Sequence, residues 1–552
     1  MFDYVIVGGG SAASVLAARL SESGEHKICV LEAGPPDRNP YIRMPAGFIK
    51  TLSDPKLTWQ FDTEPSPHIG GRSIRLAQGR TLGGSSAING GVYVRGQRAD
   101  FDQWAQRGNR GWSYAELLPY FRRTEHRIGP GDDFYRGRAG ALPVSTPRWD
   151  SDLCDAFIAS AAANAIPAND DYNGAVQEGA GRYQSATLNG RRHSAAFAFL
   201  HPARRGGNVE VRTHAQAVRI RIEEGRARGV DYVRRDGSPA TVDARLGIVV
   251  AAGALNSPKL LQLSGIGPAD LLRSCGVPVV VDRPGVGGNL HDHFSPRLVY
   301  RVRGAATLNS RVKGLPLAVE ALRWLLGRPS VLGLSPALAH GFGRSDPALD
   351  APDFTLVFMP ASYKAGRVGM LDDFPGMTCG VWQMRPESRG HVSIHSADWR
   401  EAPAVDPAYL SAESDRRVLV KALKRARTIF RTAPLDGFAD SEILPGEKVE
   451  SDEAWLEFAR DYGSTSYHLV GSCAMGPPGD RTAVVGPDLR VHGIDCLWVA
   501  DSSIIPSIPS ANTYAAVLMI GEKAADLILG RAPPPAAILP EPAGSARRVA
   551  AS

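Results

Sequence analysis

Phe2-Asp3-Tyr4-Val5-Ile6-Val7-Gly8-Gly9-Gly10-Ser11-Ala12-Ala13 is the stretch whose reading decides the fold. A short apolar run reads as a strand, stops at three glycines, and gives way to a helical pattern from Ser11 to Leu20. A second apolar run, Lys27-Ile28-Cys29-Val30-Leu31, ends in Glu32. Together they predict one βαβ unit. Gly8 permits the tight turn, Gly10 lets the backbone approach a pyrophosphate, and Ala13 is small enough for helix and strand to pack closely. Phosphates are expected at the helix N-terminus, beside Ser11 and Ala12, where free N–H groups and the helix dipole favour negative charge. Glu32, followed by Ala33, stands about twenty residues beyond the glycines, where an acid accepts ribose hydroxyls. These features alone do not separate FAD from NAD.

Working outward, the chain of 552 residues is 43% hydrophobic and 22% charged, a composition that suits two intertwined domains. The net charge of +6 comes from scattered arginines interleaved with acids, so no nucleic-acid partner is expected. Six cysteines lie far apart with no C-x-x-C pair, which argues against a disulfide framework or a metal site. The chain enters its first strand with no export leader, and no apolar run reaches about 18 residues, so a cytoplasmic protein is expected.

Nucleotide-type elements recur at Gly247 to Gly253 and at Cys496 to Asp501. The fold class is therefore α/β: a Rossmann-like domain assembled from discontinuous segments, with an inserted α+β substrate-binding domain. The expected pieces are 1–150, 206–292 and 461–530 for the dinucleotide domain. Residues 151–205 are assigned to the substrate domain or a lid, 293–460 to its sheet, and 531–552 to a disordered tail. Residues 39–74 are expected to lie over the cofactor as irregular structure. An amphipathic helix at Leu315 to Leu326 is expected to cover the second sheet, with peripheral membrane contact as the alternative.

Four further blocks carry a resemblance. The first is Gly79-Arg80-Thr81-Leu82-Gly83-Gly84-Ser85-Ser86-Ala87-Ile88-Asn89, and the second runs from Gly253-Ala254-Leu255-Asn256-Ser257-Pro258 to Gly265-Ile266-Gly267. Both resemble signatures of the glucose–methanol–choline oxidoreductases, as do Pro284 to Leu290 and Asp501 to Asn512, and the likeness is closest to the choline and aliphatic alcohol dehydrogenase branch. The resemblance implies FAD. On it, Leu82, Gly83, Ser86 and Asn89-Gly90-Gly91-Val92 would run beside the cofactor, and Ala217 would meet the adenine. Asp501 and Ser502 would hold the ribityl–phosphate end, and Thr513 the pyrimidine edge. Relatives that attach FAD covalently use a His where this chain has Ile88, so non-covalent FAD is expected.

The resemblance also places a catalytic base at His468, in Ser466-Tyr467-His468-Leu469-Val470, and an alcohol-orienting partner at Asn512. Imidazole with an ordinary pKa near 6.5 is neutral at working pH, and a carboxamide donates a hydrogen bond without competing for the proton. Leu469 replaces the family's usual Pro, Ala474 its basic residue, and Tyr514 the usual Asn. His291 and His293 bracket Asp292, a turn read as structural rather than as a metal site.

Alignment puts Leu338 where choline-specific relatives carry a Glu, which favours a neutral primary alcohol. The acceptor is left open between O2 and a quinone or other carrier. A hydroxynitrile-lyase-like activity and a light-driven fatty-acid decarboxylase remain alternatives on the same fold.

Overall fold

The computed structural model describes residues 1–364 and 370–540. Five parallel strands form the heart of the first sheet, in the order Val209–Arg212, Ile28–Leu31, Phe2–Val7, Pro239–Val250 and Leu497–Val499. Val5, Ile6, Val30 and Val249 have no exposed surface, as expected for strands covered on both faces. The long strand Pro239–Val250 also pairs, through its first half, with the antiparallel hairpin Gln216–Glu223 and Arg226–Val233.

Register explains why the motifs converge. Val7 lies opposite Leu31 and Val250, and Val250 opposite Val499. The residues that follow (Gly8, Glu32, Ala251 and Ala500-Asp501) leave the carboxyl ends of neighbouring strands in one row, where open α/β sheets bind ligands. Helices Ser11–Ser21 and Tyr514–Leu529 pack side by side. Gly521 makes this approach feasible, because a Cβ there would come within 2.9 Å of the Ala12 carbonyl oxygen.

The second sheet is antiparallel, in the order Ala439–Leu444, Arg297–Val302, Gly376–Gln383, Phe354–Met359, Ala339–Gly343 and Gly179–Arg182. Met377, Cys379 and Val381 point to a core closed by helices Glu413–Phe430 and Asp152–Ala163. Phe430 stacks on Tyr300 and Phe157 on Phe358, with ring centroids 4.3 and 4.6 Å apart. The alternate residues Thr378, Gly380 and Trp382 face the cavity described below.

Several expectations need correction. Residues 39–74 are not irregular: short helical turns precede the strand Thr58–Asp62, which pairs with Arg75–Gly79. Residues 195–200, within the stretch 151–205 assigned mainly to the substrate domain or a lid, pack in the dinucleotide-domain core against the helix Ser11–Ser21. Part of the expected disordered tail is docked, since Ala537 N donates to the Ala115 carbonyl at 2.9 Å and Leu539 packs on the core. Residues 541–552 of that tail lie outside the described residues.

The helix Gly314–Leu325 leans on the turn Val331–Gly333 rather than covering the second sheet. Its one buried residue is Glu320, which accepts from Val331 N, while Leu315, Leu322 and Leu325 are between 58% and 78% exposed. All six cysteines are free thiols. Among the described residues no helix is long and apolar enough to cross a membrane.

Candidate active site

One elongated cavity starts at the row of strand ends and runs to the face of the second sheet. Gly8, Gly10, Ser11, Ala12, Glu32, Ala33 and Ala217 line its first end, and Ser86, Asn89 to Val92, Asp501, Ser502 and Thr513 its middle. His468 and Asn512 lie where the middle meets the second sheet. Its lining runs from the glycine motif to the second sheet, the reach a dinucleotide needs. Its chemistry suits one too: a Cβ on Gly8 would sit 2.4 Å from the Ala251 carbonyl oxygen, whereas one on Gly10 would meet nothing nearer than 3.9 Å, leaving that backbone open to a phosphate.

Glu32 accepts Gly9 N at 2.8 Å through one oxygen and Gly34 N at 2.7 Å through the other, which fixes the acid at the cavity's edge with lone pairs to spare. Burial pushes its pKa up to about 7 against those two hydrogen bonds. Asp501 holds the third chain piece to the second. It accepts from Gly253 N at 2.8 Å, Ser257 Oγ at 2.6 Å and Ser503 N at 2.8 Å.

Two expected cofactor residues do not face the cavity. Leu82 is buried in the dinucleotide-domain core, and Gly83 donates to the Gly9 carbonyl at 2.7 Å. Their neighbour Gly84 does line it, at φ +53°, and a Cβ there would come within 2.7 Å of Gly10 Cα. The small residues of this block thus serve first to let one glycine motif rest on the other. Ile88 lines the cavity, as do Phe48, Leu52 and Trp59 from the stretch expected to cover it. Arg192, missed in the sequence, is buried with no acidic partner among the described residues and donates to Asn89 Oδ1 at 2.8 Å. Tyr514 brings a buried ring to the cavity wall.

The decisive geometry surrounds His468. Its preceding residue, Tyr467, sits at φ +62°, a strained conformation for a non-glycine residue, and the turn is held by Tyr467 N donating to Thr465 Oγ1 at 2.7 Å. Asp292 accepts from His468 N at 2.7 Å and His293 N at 2.8 Å through one oxygen, and from Tyr409 OH and Thr465 Oγ1 through the other. One carboxylate therefore sets the backbone of both histidines. Burial raises its pKa to about 6 against these donors.

Imidazole tautomers follow from partners. His293 Nε2 lies 2.8 Å from the Met384 carbonyl oxygen, which only accepts, so that nitrogen carries the proton. Burial lowers the His293 pKa to about 4, keeping the ring neutral and its Nδ1 an acceptor. His468 Nδ1, 3.0 Å away, must then be the donor, which leaves the lone pair on His468 Nε2. That atom faces the Asn512 carboxamide nitrogen at 2.9 Å. Burial first, then the neighbouring His293, holds His468 well below the usual histidine range. An alcohol oxygen inserted between the two would donate to His468 and accept from Asn512.

His293 was not singled out for this role, because 175 residues separate it from His468 and only the fold joins them. His291 is engaged elsewhere, with Nδ1 at 2.6 Å from the Asn289 carbonyl and Nε2 accepting from Ile508 N at 2.9 Å. Leu338 does not face the cavity. It packs in the core of the second domain just before the strand Ala339–Gly343, and its neighbour Ala337 takes the wall.

Fold and site together define an FAD-dependent alcohol oxidoreductase with a two-domain α/β architecture. The sequence patterns of the GMC oxidoreductase family match residues 2–295 and 386–521, and the chain belongs to that family. It is 40% identical over 531 residues to an oxygen-dependent choline dehydrogenase of Brucella ovis, covering 96% of each chain. Pyridoxine 4-oxidase from Mesorbium loti superposes with a TM-score of 0.86 at 33% identity, over 96% of this chain and 100% of that one. An Aspergillus oryzae formate oxidase variant gives 0.88 at 26% identity, over 96% and 98%.

Proposed function

We propose that the protein oxidises a primary alcohol to an aldehyde, with His468 as the base and Asn512 orienting the oxygen. The observation that carries this is the relay Met384 O, His293, His468, Asn512, whose donors and acceptors put the lone pair on His468 Nε2, where it accepts from the Asn512 carboxamide at the cavity wall. FAD bound along the cavity supplies the hydride acceptor. His468 takes the hydroxyl proton and Asn512 donates to the oxygen as negative charge grows there. Asp292 and His293 hold the base in place and in the right tautomer. Ile88, which has no nucleophilic atom, supports non-covalent attachment of the cofactor. The two electrons then pass to O2 or a carrier. No specific observation favours the lyase or the light-driven decarboxylase.

The carrier route has one observation behind it. The exposed apolar face of the helix Gly314–Leu325 is bordered by Arg328 and by Lys313 and Arg323, which pair with Asp373 and Glu320, and Trp324 Nε1 ties the helix to the Gly190 carbonyl at 2.8 Å; the apolar face with Arg328 suits an anionic lipid surface. Anaerobic mixing of the FAD-loaded protein with primary alcohols tests the reading. Bleaching of the visible flavin band is expected, and recolouring in air then separates O2 from a carrier. No bleaching by any alcohol would overturn it.

A further inference from the structure

The end of the cavity beyond His468 and Asn512 is built from donors and aromatic rings. The carboxylates on the whole cavity wall are Glu32 and Asp501, both at the cofactor end and both engaged by backbone N–H groups. At the substrate end stands Arg297, exposed, with no hydrogen bond or ion pair among the described residues. It sits opposite Gly380 in the second sheet, and Gly380 lies opposite Val357, so no side chain larger than hydrogen stands between them. Trp382 Nε1 and Ser466 Oγ at the same end are buried without a hydrogen-bond partner among the described residues. The guanidinium also draws the Tyr467 and Tyr363 phenols down, against the larger upward effect of burial, which places its field in this chamber.

Buried donors without partners are costly unless a ligand satisfies them. Three aromatic rings (Tyr363, Trp382 and Tyr467) would by themselves suit a quaternary ammonium. A guanidinium among them, with no acid to offset it, reverses the sign. Arg presents a planar fork that matches carboxylate and phosphate oxygens.

We infer that the substrate is a primary alcohol whose far end carries an oxyanion, held by Arg297 with Trp382 and Ser466 as supporting donors. This rests on the alcohol-oxidation reading. Oxidation of ⁻O2C–R–CH2OH to ⁻O2C–R–CHO gives a proton to His468 and a hydride to FAD, and leaves the anionic group untouched. A choline-like cation would face Arg297 with the wrong charge, despite the name carried by the 40%-identical relative.

The test uses the FAD-loaded enzyme and matched substrates: the ω-hydroxy acids from 3-hydroxypropanoate to 6-hydroxyhexanoate, the alkanols of equal length, choline, and 3-hydroxypropyl phosphate. For at least one length, kcat/KM for the acid should exceed that of its alkanol by about tenfold or more. Arg297→Gln should abolish that ratio, through KM rather than kcat, while cofactor loading and melting temperature stay unchanged. Arg297→Glu should move the preference towards choline. A phosphate preferred over every carboxylate would keep the inference and name phosphate as the anion.

Separately, butanoate and tetramethylammonium are titrated against tryptophan fluorescence, a readout that needs no turnover. Butanoate should bind, and binding should be lost in Arg297→Gln. Choline or the alkanols equalling every anionic alcohol, or ratios unmoved in Arg297→Gln, would overturn the inference while leaving alcohol oxidation standing. If no alcohol bleaches the flavin, the alcohol reading fails, and butanoate binding alone decides whether an anion site exists.

Discussion

The two ends of the cavity are made from different materials. The cofactor end is a surface of backbone: glycines at 8, 10, 84, 90 and 91, strand ends in register, and carboxylates spent on holding N–H groups. The substrate end is a surface of side chains, drawn from strands around residues 297, 357 and 380 and from the turn at 467. The first end recognises a ligand common to many proteins through features that tolerate almost no substitution. The second can change its specificity one side chain at a time without disturbing the sheet beneath it.

That contrast predicts how each end fails. Gly84→Val should have the largest effect. Its Cβ would fall within 2.7 Å of Gly10 Cα at a positive φ, so we expect a protein without FAD or without a stable fold, read by the absorbance of the purified protein and its melting temperature. A yellow, stable Gly84→Val variant would show that the two glycine motifs need no mutual contact. His468→Ala should do the opposite, keeping the cofactor while losing roughly 10²–10⁴-fold in the rate of flavin reduction by alcohol. A wild-type rate would remove His468 from the role of base.

His293→Phe touches neither cofactor nor substrate and should cost about tenfold in the same rate, the worth of one hydrogen bond that fixes the tautomer. It should also move the pH profile, since His468 then loses the neighbour that helps depress its pKa. In the unmutated protein the sign is set by that depression. Protonation of Nε2 removes the accepting lone pair, and a pKa held well below 6.5 defers this loss, so the reduction rate should stay level down through pH 6.5 and fall only below it. An acid limb at or above 6.5 would mean that the base is more hydrated than its burial indicates.

The smallest effect is expected outside both ends. Leu322→Glu with Leu325→Glu should leave flavin reduction by alcohol within about twofold and abolish co-sedimentation with anionic vesicles. Equal sedimentation of both proteins would discard the membrane reading.

How much was legible follows the same division. Gly8, Gly10, Glu32 and Asp501 could be read because each belongs to a short run whose strand, turn and helix are contiguous. Contiguity did not show that Leu82 packs in the core or that the Gly83 N–H goes to the Gly9 carbonyl, so that neither lines the cavity. At the substrate end the reading rested on family position. It named His468 and Asn512, which the structure brings to 2.9 Å on the cavity wall, and did not single out Arg297, Trp382 or the contact of His293 with His468. Leu338 shows the reason: it packs in the core while the adjacent Ala337 lines the cavity, and no local pattern near 337 to 342 marks which is which.

By itself the sequence determined the βαβ start, the three-piece assembly and the dinucleotide chemistry, because backbone recognition is encoded by glycines and small residues at fixed local spacing. Tertiary structure alone decided which nitrogen of His468 holds the lone pair, that Asp292 sets two histidines 175 residues apart, and that a cation stands in the substrate chamber. Those are facts about pairs of distant residues. They exist only once strand register and sheet packing bring the partners within hydrogen-bonding range.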